Sequence, residues 1–402
     1  MVLLEITVAA LAAFGLVQAM SGLFAVRRFR RKPAVAPGGR DDPWPAVTIL
    51  KPLHGDEPML EEALASFCAQ RYPRFQIVFG VQDAADPALA VVRRLRERFP
   101  ACDIDDVVDG TPHGPNRKIG NLINMFPRAR HDVLVIADSD VHVAPDYLER
   151  IVAALRVPGT GLVTTLYSGL PARPGLPSAL GATQISHVFL PGALLARGLG
   201  RQDCLGATMA LHRETLLTIG GLHALADHLA DDAVLGRLVG AQGLSVGLAA
   251  TVPATTVPES RLHALFYHEL RWARTIQSLV PVGFALSVLQ FPIFWAALSV
   301  GLSGGEEWAF GLFALSWAAR AGIARGIDRA LGLPTSAPVW LLPLRDLMSV
   351  FVILASYRGG EVRWRGEVLR VDRPRYAPRY AAARYAPAAY PRARYPRTLG
   401  EG

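Results

Sequence analysis

Apolar residues are unevenly spread along this chain, and changes in their spacing divide it into parts. Residues 2–26 (VLLEITVAALAAFGLVQAMSGLFAV) are apolar almost throughout, Glu5 excepted, and are long enough to cross a bilayer as a helix. Arg27-Arg28-Phe29-Arg30-Arg31-Lys32 follows at once, and the positive-inside rule keeps that end on the cytoplasmic side. No basic stretch precedes the run and no small-residue cleavage site follows it, so it reads as a retained anchor. The Pro/Gly-rich stretch from Pro33 to Pro45 reads as a linker.

From Val47 to about Val257 short apolar runs alternate with helical periodicity. VTIL (47–50), QIVFGV (76–81), VLVIA (133–137) and GLVTTLY (161–167) predict strands, while 58–69, 86–98, 145–156 and a long 178–197 predict helices. Strand followed by helix, repeated, predicts an α/β domain with a mainly parallel sheet. Ligands of such sheets bind beyond the carboxyl ends of the strands. After residue 258 the segments 281–303, 307–324 and 338–357 are apolar enough to enter a membrane. The third carries Arg345 and Asp346 near its middle, which either pair with each other or make the segment re-entrant or interfacial. The stretch 373–397 repeats Arg, Tyr, Pro and Ala, has little to bury, and reads as disordered. The predicted boundaries are an anchor over 1–26, a basic linker over 27–46, an α/β domain over 47–280, membrane segments over 281–357, and a basic disordered tail over 358–402.

Composition supports this division. Of 402 residues 51% are hydrophobic, an excess concentrated in the first segment and the late ones. The net charge of +8 comes largely from arginines beside the apolar stretches and in the tail. That placement points to anionic lipid headgroups, not to nucleic acid. Cys68, Cys102 and Cys204 form no C-x-x-C pair, which excludes a disulfide frame or a zinc site of that kind.

Candidate chemistry sits at predicted strand ends. VLVIADSDV (133–141) delivers Asp138 and Asp140 one residue apart after a buried strand. Carboxylates so close repel each other unless a cation lies between them or one protonates. A divalent metal resolves the conflict and can bridge to a diphosphate; the alternative is a solvated turn. In GVQDAADPA, Asp83 ends a second strand, while Asp86-Pro87 reads as a helix cap with proline in the first turn. Lys51 or His54 of KPLHG could face a nucleotide or simply a solvated loop. GPNRKIGNL (114–122) places Asn116, Lys118 and Asn121 at a helix start suited to a phosphate or to plain surface. Asp231-Asp232 open a helical pattern, either as dipole-favoured acids or with one as a general base. In YHELRWARTIQ (267–277), His268, Arg271, Trp272 and Thr275 share one helix face, suited to a diphosphate or to a membrane interface.

In this order the pieces resemble the glycosyltransferases of the ceramide glucosyltransferase family, with the GT-A fold. That family carries three separated aspartates and then a (Q/R)-x-x-R-W element. The matches are Asp83 in VQDAADP, Asp138 in ADSD, Asp232 in LADDAVLG, and His268-Glu269-Leu270-Arg271-Trp272. Lys51-Pro52-Leu53, Lys118 with Asn121, and Gly206-Ala207-Thr208-Met209 before Gly220-Gly221 support them, and the resemblance covers roughly 47–371. Two departures stand out: His268 replaces Gln or Arg, and Asp140 is a glycine in the animal ceramide enzymes. The wording is closer still to a bacterial branch, the hopanoid-biosynthesis-associated glycosyltransferases.

The resemblance implies a GT-A domain over 47–280 facing the cytoplasm of a bacterial inner membrane. Its function would be to move N-acetylglucosamine from UDP-GlcNAc onto a hopanoid lipid, bacteriohopanetetrol, with ceramide and UDP-glucose as the alternative. It further implies Asp232 as the catalytic base. Asp83, Asp138, Lys118, His268, Arg271 and Trp272 would bind the nucleotide-sugar, and Asp138 with Asp140 would hold Mg²⁺ or Mn²⁺. The implied partners are a UDP-sugar donor, a lipid acceptor and the membrane. A polysaccharide synthase shares the aspartates, but three or four membrane segments are few for a polymer channel.

Overall fold

The structure is a computed structural model that describes residues 2–31, 44–333, 338–359, 361–364 and 367–370. Residues 32–43 of the predicted linker, and the tail beyond residue 370, lie outside the described residues. One part of the stretch expected to be disordered is paired: Glu361–Trp364 and Glu367–Arg370 form antiparallel strands. EVRW alternates charged and apolar letters, the period of a strand.

The central sheet has seven strands. They are β1 (Val47–Pro52), β2 (Phe75–Val81), β3 (Asp103–Val108), β4 (Val133–Ala137), β6 (Thr160–Thr164), β8 (Thr208–His212) and β9 (Ser245–Leu248), in the order β3-β2-β1-β4-β8-β6-β9. Pairing is parallel from β3 to β4 and between β6 and β9, and β8 runs antiparallel to both neighbours. A second sheet joins β5 (Val141–His142), β10 (Ala254–Val257) and β7 (Ser168–Pro171), with β10 in the middle.

The unbroken apolar run in β4 follows from burial on both faces. Val133, Val135 and Ala137 enter one core with Ile49, Ile77, Phe79 and the helices Leu60–Cys68, Ala88–Arg98 and Tyr147–Leu155. Leu134 and Ile136 enter the opposite core with Leu50, Val78, Ile119, Leu122 and Leu235. These strands and the first three helices match the sequence expectations to within a few residues. The last predicted strand ends earlier, at Thr164. The edge strand β3 (DIDDVV) was not expected: three acids in six residues read as loop, and an edge strand tolerates them.

Among the described residues three helices are long and apolar enough to cross a membrane: Val2–Arg30, Leu176–Gly198 and Val339–Ser356. The second lies in the stretch expected to be an ordinary helix of the α/β domain, and its interior runs through a π-helical turn at Ile185–Phe189. The expected segment 281–303 is not straight. Pro281–Gln290 and Pro292–Leu302 meet at 66°, with Pro292 beginning the second piece, where it cannot continue the preceding backbone hydrogen bonds. Val2–Arg30 packs on Pro292–Leu302, Leu190–Gly198 and Glu307–Leu331, while Leu3, Ile6, Phe14 and Val17 point outward.

Polar ties hold this bundle to the sheet domain. Arg345 and Asp346 do not pair with each other. Consecutive helical residues point in different directions, and each finds a separate partner. Arg345, fully buried, grips Glu269 of the helix Leu262–Leu279 through two bonds of 2.7 Å and also donates to the Leu180 carbonyl at 3.3 Å. Asp346 accepts from the Ile293 amide at 3.3 Å. Removing one partner of a buried ion pair strands the other charge, at a cost of about 3–5 kcal/mol, whereas replacing both with apolar groups is often neutral. Arg345→Met or Glu269→Leu alone should therefore lower the thermal midpoint of the protein in lipid nanodiscs sharply. The double variant should recover most of the loss; if it unfolds as early as the singles, the pair is not the tie described.

Candidate active site

Beyond the end of β4 the chain turns through Asp138-Ser139-Asp140 into β5, and each residue of the turn is held differently. The Asp138 carbonyl accepts a hydrogen bond from the Lys51 ammonium. Ser139 Oγ donates to Glu57 Oε2 at 2.5 Å. Asp140 Oδ2 accepts from Thr255 Oγ1 of β10 at 2.6 Å, and its carbonyl accepts from the Thr256 amide at 3.0 Å. Burial, then the neighbouring Asp138 charge, pushes the Asp140 carboxyl up to about 6.

Lys51 ends beside this turn because β1 and β4 are parallel neighbours, with Leu50 opposite Ile136. Its side chain is fully buried, with Nζ 3.9 Å from the centre of the Phe67 ring. Burial brings the ammonium down to about 7 against the opposing pull of Asp140, Asp138 and Glu57. It therefore lies under the acidic turn and not on a nucleotide-facing surface.

Lys118 approaches from the other side. Asn116 caps its helix, Arg117–Met125, accepting from the Ile119 amide at 3.1 Å and donating to the His228 carbonyl at 2.8 Å. Asn121 is a structural anchor: it donates to the Gly80 carbonyl at 2.8 Å, and a Cβ at Gly80 would lie 2.6 Å from its Oδ1. So fixed, Lys118 Nζ reaches Asp138 Oδ1 at 2.7 Å and Asp231 Oδ2 at 3.7 Å. Burial alone would lower its pKa, but the charges of Asp138, Asp231 and Asp232 outweigh it and hold the ammonium above its ordinary value.

Asp231 and Asp232 open the helix Asp231–Ala241. Burial first, then Asp231, raises the Asp232 carboxyl to about 7. Its Oδ1 accepts from the Ala233 amide at 2.7 Å, while Gly206 leaves space beside Oδ2, where an added Cβ would come within 3.1 Å. Asp138, Asp140, Lys118 and Asp232 thus share one charged site. Asp83 stands apart at the end of β2. It is exposed, and its Oδ1 accepts from the Ala85 amide of its own turn at 2.9 Å. Asp86 is structural as expected, binding the amides of Ala88 and Gly55 at 2.9 and 3.0 Å.

The helix Leu262–Leu279 supplies the last group. His268 Nδ1 bonds Glu259, and its ring stacks edge-on to Trp272, centroids 4.4 Å apart. Trp272 packs into a cluster with Tyr167 and Phe189. The Tyr167 hydroxyl is raised well above its usual range by burial and then by Asp232, Asp138 and Asp140, which puts the aromatic cluster beside the acids. Arg271 is half-buried on the same helix. Sequence reasoning missed the roles of Glu57, Tyr167, Thr255 and Glu259, which sit in loops or at short strands where no local pattern marks them. The doubled acid was the one signal for Asp231.

As a metal site the turn offers two carboxylates. Among the described residues no three His, Cys, Asp or Glu side chains converge. That set fits Mg²⁺ or Mn²⁺, which typically take one or two carboxylates and complete their shell with substrate phosphate and water. Burial first, and then repulsion from Asp138, raises the Asp140 carboxyl, and an ion between the two acids would relieve that repulsion.

Comparison with known proteins places the fold. The mannosyltransferase PcManGT from Pyrobaculum calidifontis, solved with GDP-Man and Mn²⁺, superposes with a TM-score of 0.51 at 20% identity, over 88% of this chain and 99% of that one. The shared architecture is GT-A. Ceramide glucosyltransferase 1 of Caenorhabditis elegans is 24% identical over 246 residues, 60% of this chain and 52% of that protein. The ceramide glucosyltransferase of Komagataella phaffii is 36% identical over 114 residues, 27% of this chain and 22% of that protein. This chain spans about half or less of the length of such curated relatives. The profile of Glycosyl transferase family 21 matches residues 7–377, nearly the whole sequence, and the chain belongs to that family.

Proposed function

We propose that this protein is a membrane-anchored, inverting glycosyltransferase that moves a sugar from a nucleotide-diphosphate donor onto a lipid hydroxyl. The observation that carries the reading is Lys118, which pairs with Asp138 at 2.7 Å and with Asp231, the neighbour of Asp232, at 3.7 Å, so joining two acidic segments distant in sequence. Asp232, poised near pH 7, removes the proton of the acceptor hydroxyl as its oxygen bonds to the anomeric carbon. The bond from that carbon to the donor diphosphate breaks with its electron pair on the departing oxygen. Lys118 and Arg271 offer positive charge to the diphosphate, Asp83 meets the nucleotide, and His268 and Trp272 line the entrance. A divalent ion held by Asp138 and Asp140 would neutralise charge on the leaving group; the Mn²⁺ bound to the mannosyltransferase supports its presence.

For the acceptor, the relatives found support ceramide, with UDP-glucose as donor, better than the hopanoid and UDP-GlcNAc implied by sequence resemblance. The hopanoid polyol is kept as the second reading because of the close wording from LPGALLARGLG onward. Apolar helices at both ends, and basic residues after the first, support membrane anchoring with the catalytic domain over 47–280 on the cytoplasmic face. The bacterial inner membrane rests on the resemblance alone.

Four outcomes test this reading. Asp232→Asn should cut kcat by about 10²–10⁴-fold while leaving UDP affinity unchanged; near wild-type transfer by that variant removes the base assignment. The base acts deprotonated and its pKa is raised, so kcat/KM should fall about tenfold per pH unit below 7 and level off above it. EDTA should stop transfer, and Asp140→Asn should weaken Mn²⁺ binding followed by electron paramagnetic resonance. An unchanged Mn²⁺ titration would take Asp140 out of the metal site.

A further inference from the structure

A cavity between Val2–Arg30, Ile185–Gly198, Glu307–Leu331 and the bent pair's Gln290 is lined by Gln18, His187, Gly192, Gln290 and Arg320. It lies apart from the acidic site, on the far side of the helix Leu176–Gly198. Phe189 of that helix stacks on Tyr167 toward the acids, centroids 4.7 Å apart, while His187 turns into the bundle. A helix is about 10–12 Å across with its side chains, so the cavity is separated from the acids by one helix thickness.

Its two charged or titratable lining groups are nearly fully buried, His187 at 5% exposure and Arg320 at 3%. Both keep unsatisfied polar atoms. His187 Nε2 lies 2.6 Å from Asp328 Oδ1. A carboxylate only accepts, so Nε2 carries the proton, and Nδ1 of the neutral ring is a buried lone pair without a partner. Arg320 spends one N–H on the His187 carbonyl at 3.1 Å, and its Nε and Nη1 have no partner. Leaving such donors unmet in an apolar bundle is costly.

A guanidinium N–H beside an imidazole lone pair complements a hydroxyl, which accepts from one and donates to the other. A phosphate fits less well, because it only accepts and would lie near Asp328 and Asp346, the carboxylates that already face His187 and Arg320. The wall has room: a Cβ at Gly192 would meet nothing closer than Gln290 Oε1 at 3.9 Å. We propose that this cavity is a lipid-binding subsite in which Arg320 and His187 take a hydroxyl of a membrane lipid. The role as acceptor subsite rests on the glycosyltransferase reading above; binding itself does not.

The test uses the full chain in phosphatidylcholine nanodiscs doped with ceramide, a polyhydroxylated triterpenoid, di-O-methyl ceramide or phosphatidic acid. Lipid retained through purification is counted by native mass spectrometry, without turnover. Two variants report differently: Arg320→Gln removes donors, whereas Gly192→Leu leaves every charge in place and fills the space. Wild type should retain ceramide or the triterpenoid at least tenfold over its O-methylated or phosphate-bearing competitor. Both variants should lose that retention with UDP affinity unchanged, and their KM for the lipid should rise at least tenfold. Retention unchanged in a folded Gly192→Leu protein, preference for phosphatidic acid, or retention of neither hydroxyl lipid each overturns the proposal. Retention without sugar transfer to either lipid would leave the subsite standing and sink the transferase reading instead.

Discussion

The end of β4 concentrates more negative charge than an isolated turn could hold, and much of the architecture answers that excess. Asp138 and Asp140 lie on one turn, with Glu57 bound to Ser139 between them and Asp231 and Asp232 reached through Lys118. Two ammonium groups oppose these five carboxylates, one from beneath and one from the side. Lys51 is buried under the turn, where the acids above it offset only part of the desolvation it suffers. Lys118 is set by an asparagine cap and by the anchoring of its helix to β2 through Asn121. Neither lysine nor acid could be kept charged in such burial alone. The parallel neighbours β1 and β4, and the helix between β3 and β4, exist in the arrangement that lets each group meet its opposite.

How much of this could be read from the letters varies with how local the cause is. β4 and its acids were legible because burial on both faces demands an unbroken apolar run, and a sudden polar turn marks its end. β3 was not, since its acids obey the looser demands of a sheet edge. β7, β9 and β10 have four residues each, too few for a period to show. Glu259 and Thr255 were invisible for another reason: their roles depend on His268 and Asp140, and sequence proximity records neither pairing. Arg345 and Asp346 were noticed as charges in an apolar segment, yet their adjacency suggested the one pairing that helix geometry disfavours.

The bundle is joined to the chemistry by the helix Leu262–Leu279, which has two differently employed faces. His268 and Trp272 face Glu259 and the aromatic cluster, and Glu269 one residue on is clasped by Arg345. A rigid tie on one face fixes the pose of the other, so the position of His268 and Trp272 depends on a helix far along the chain. Residues 342–356 thus serve the site without touching it.

The π-helical turn at Ile185–Phe189 inserts extra backbone into one turn and rotates the helix on its C-terminal side relative to the helix on its N-terminal side. His187 and Phe189, two residues apart and so about half a turn round the axis, address opposite neighbours. Such a partition has an evolutionary consequence. Mutations on the bundle side of this wall can drift or adapt while the side that meets the acids keeps its shape.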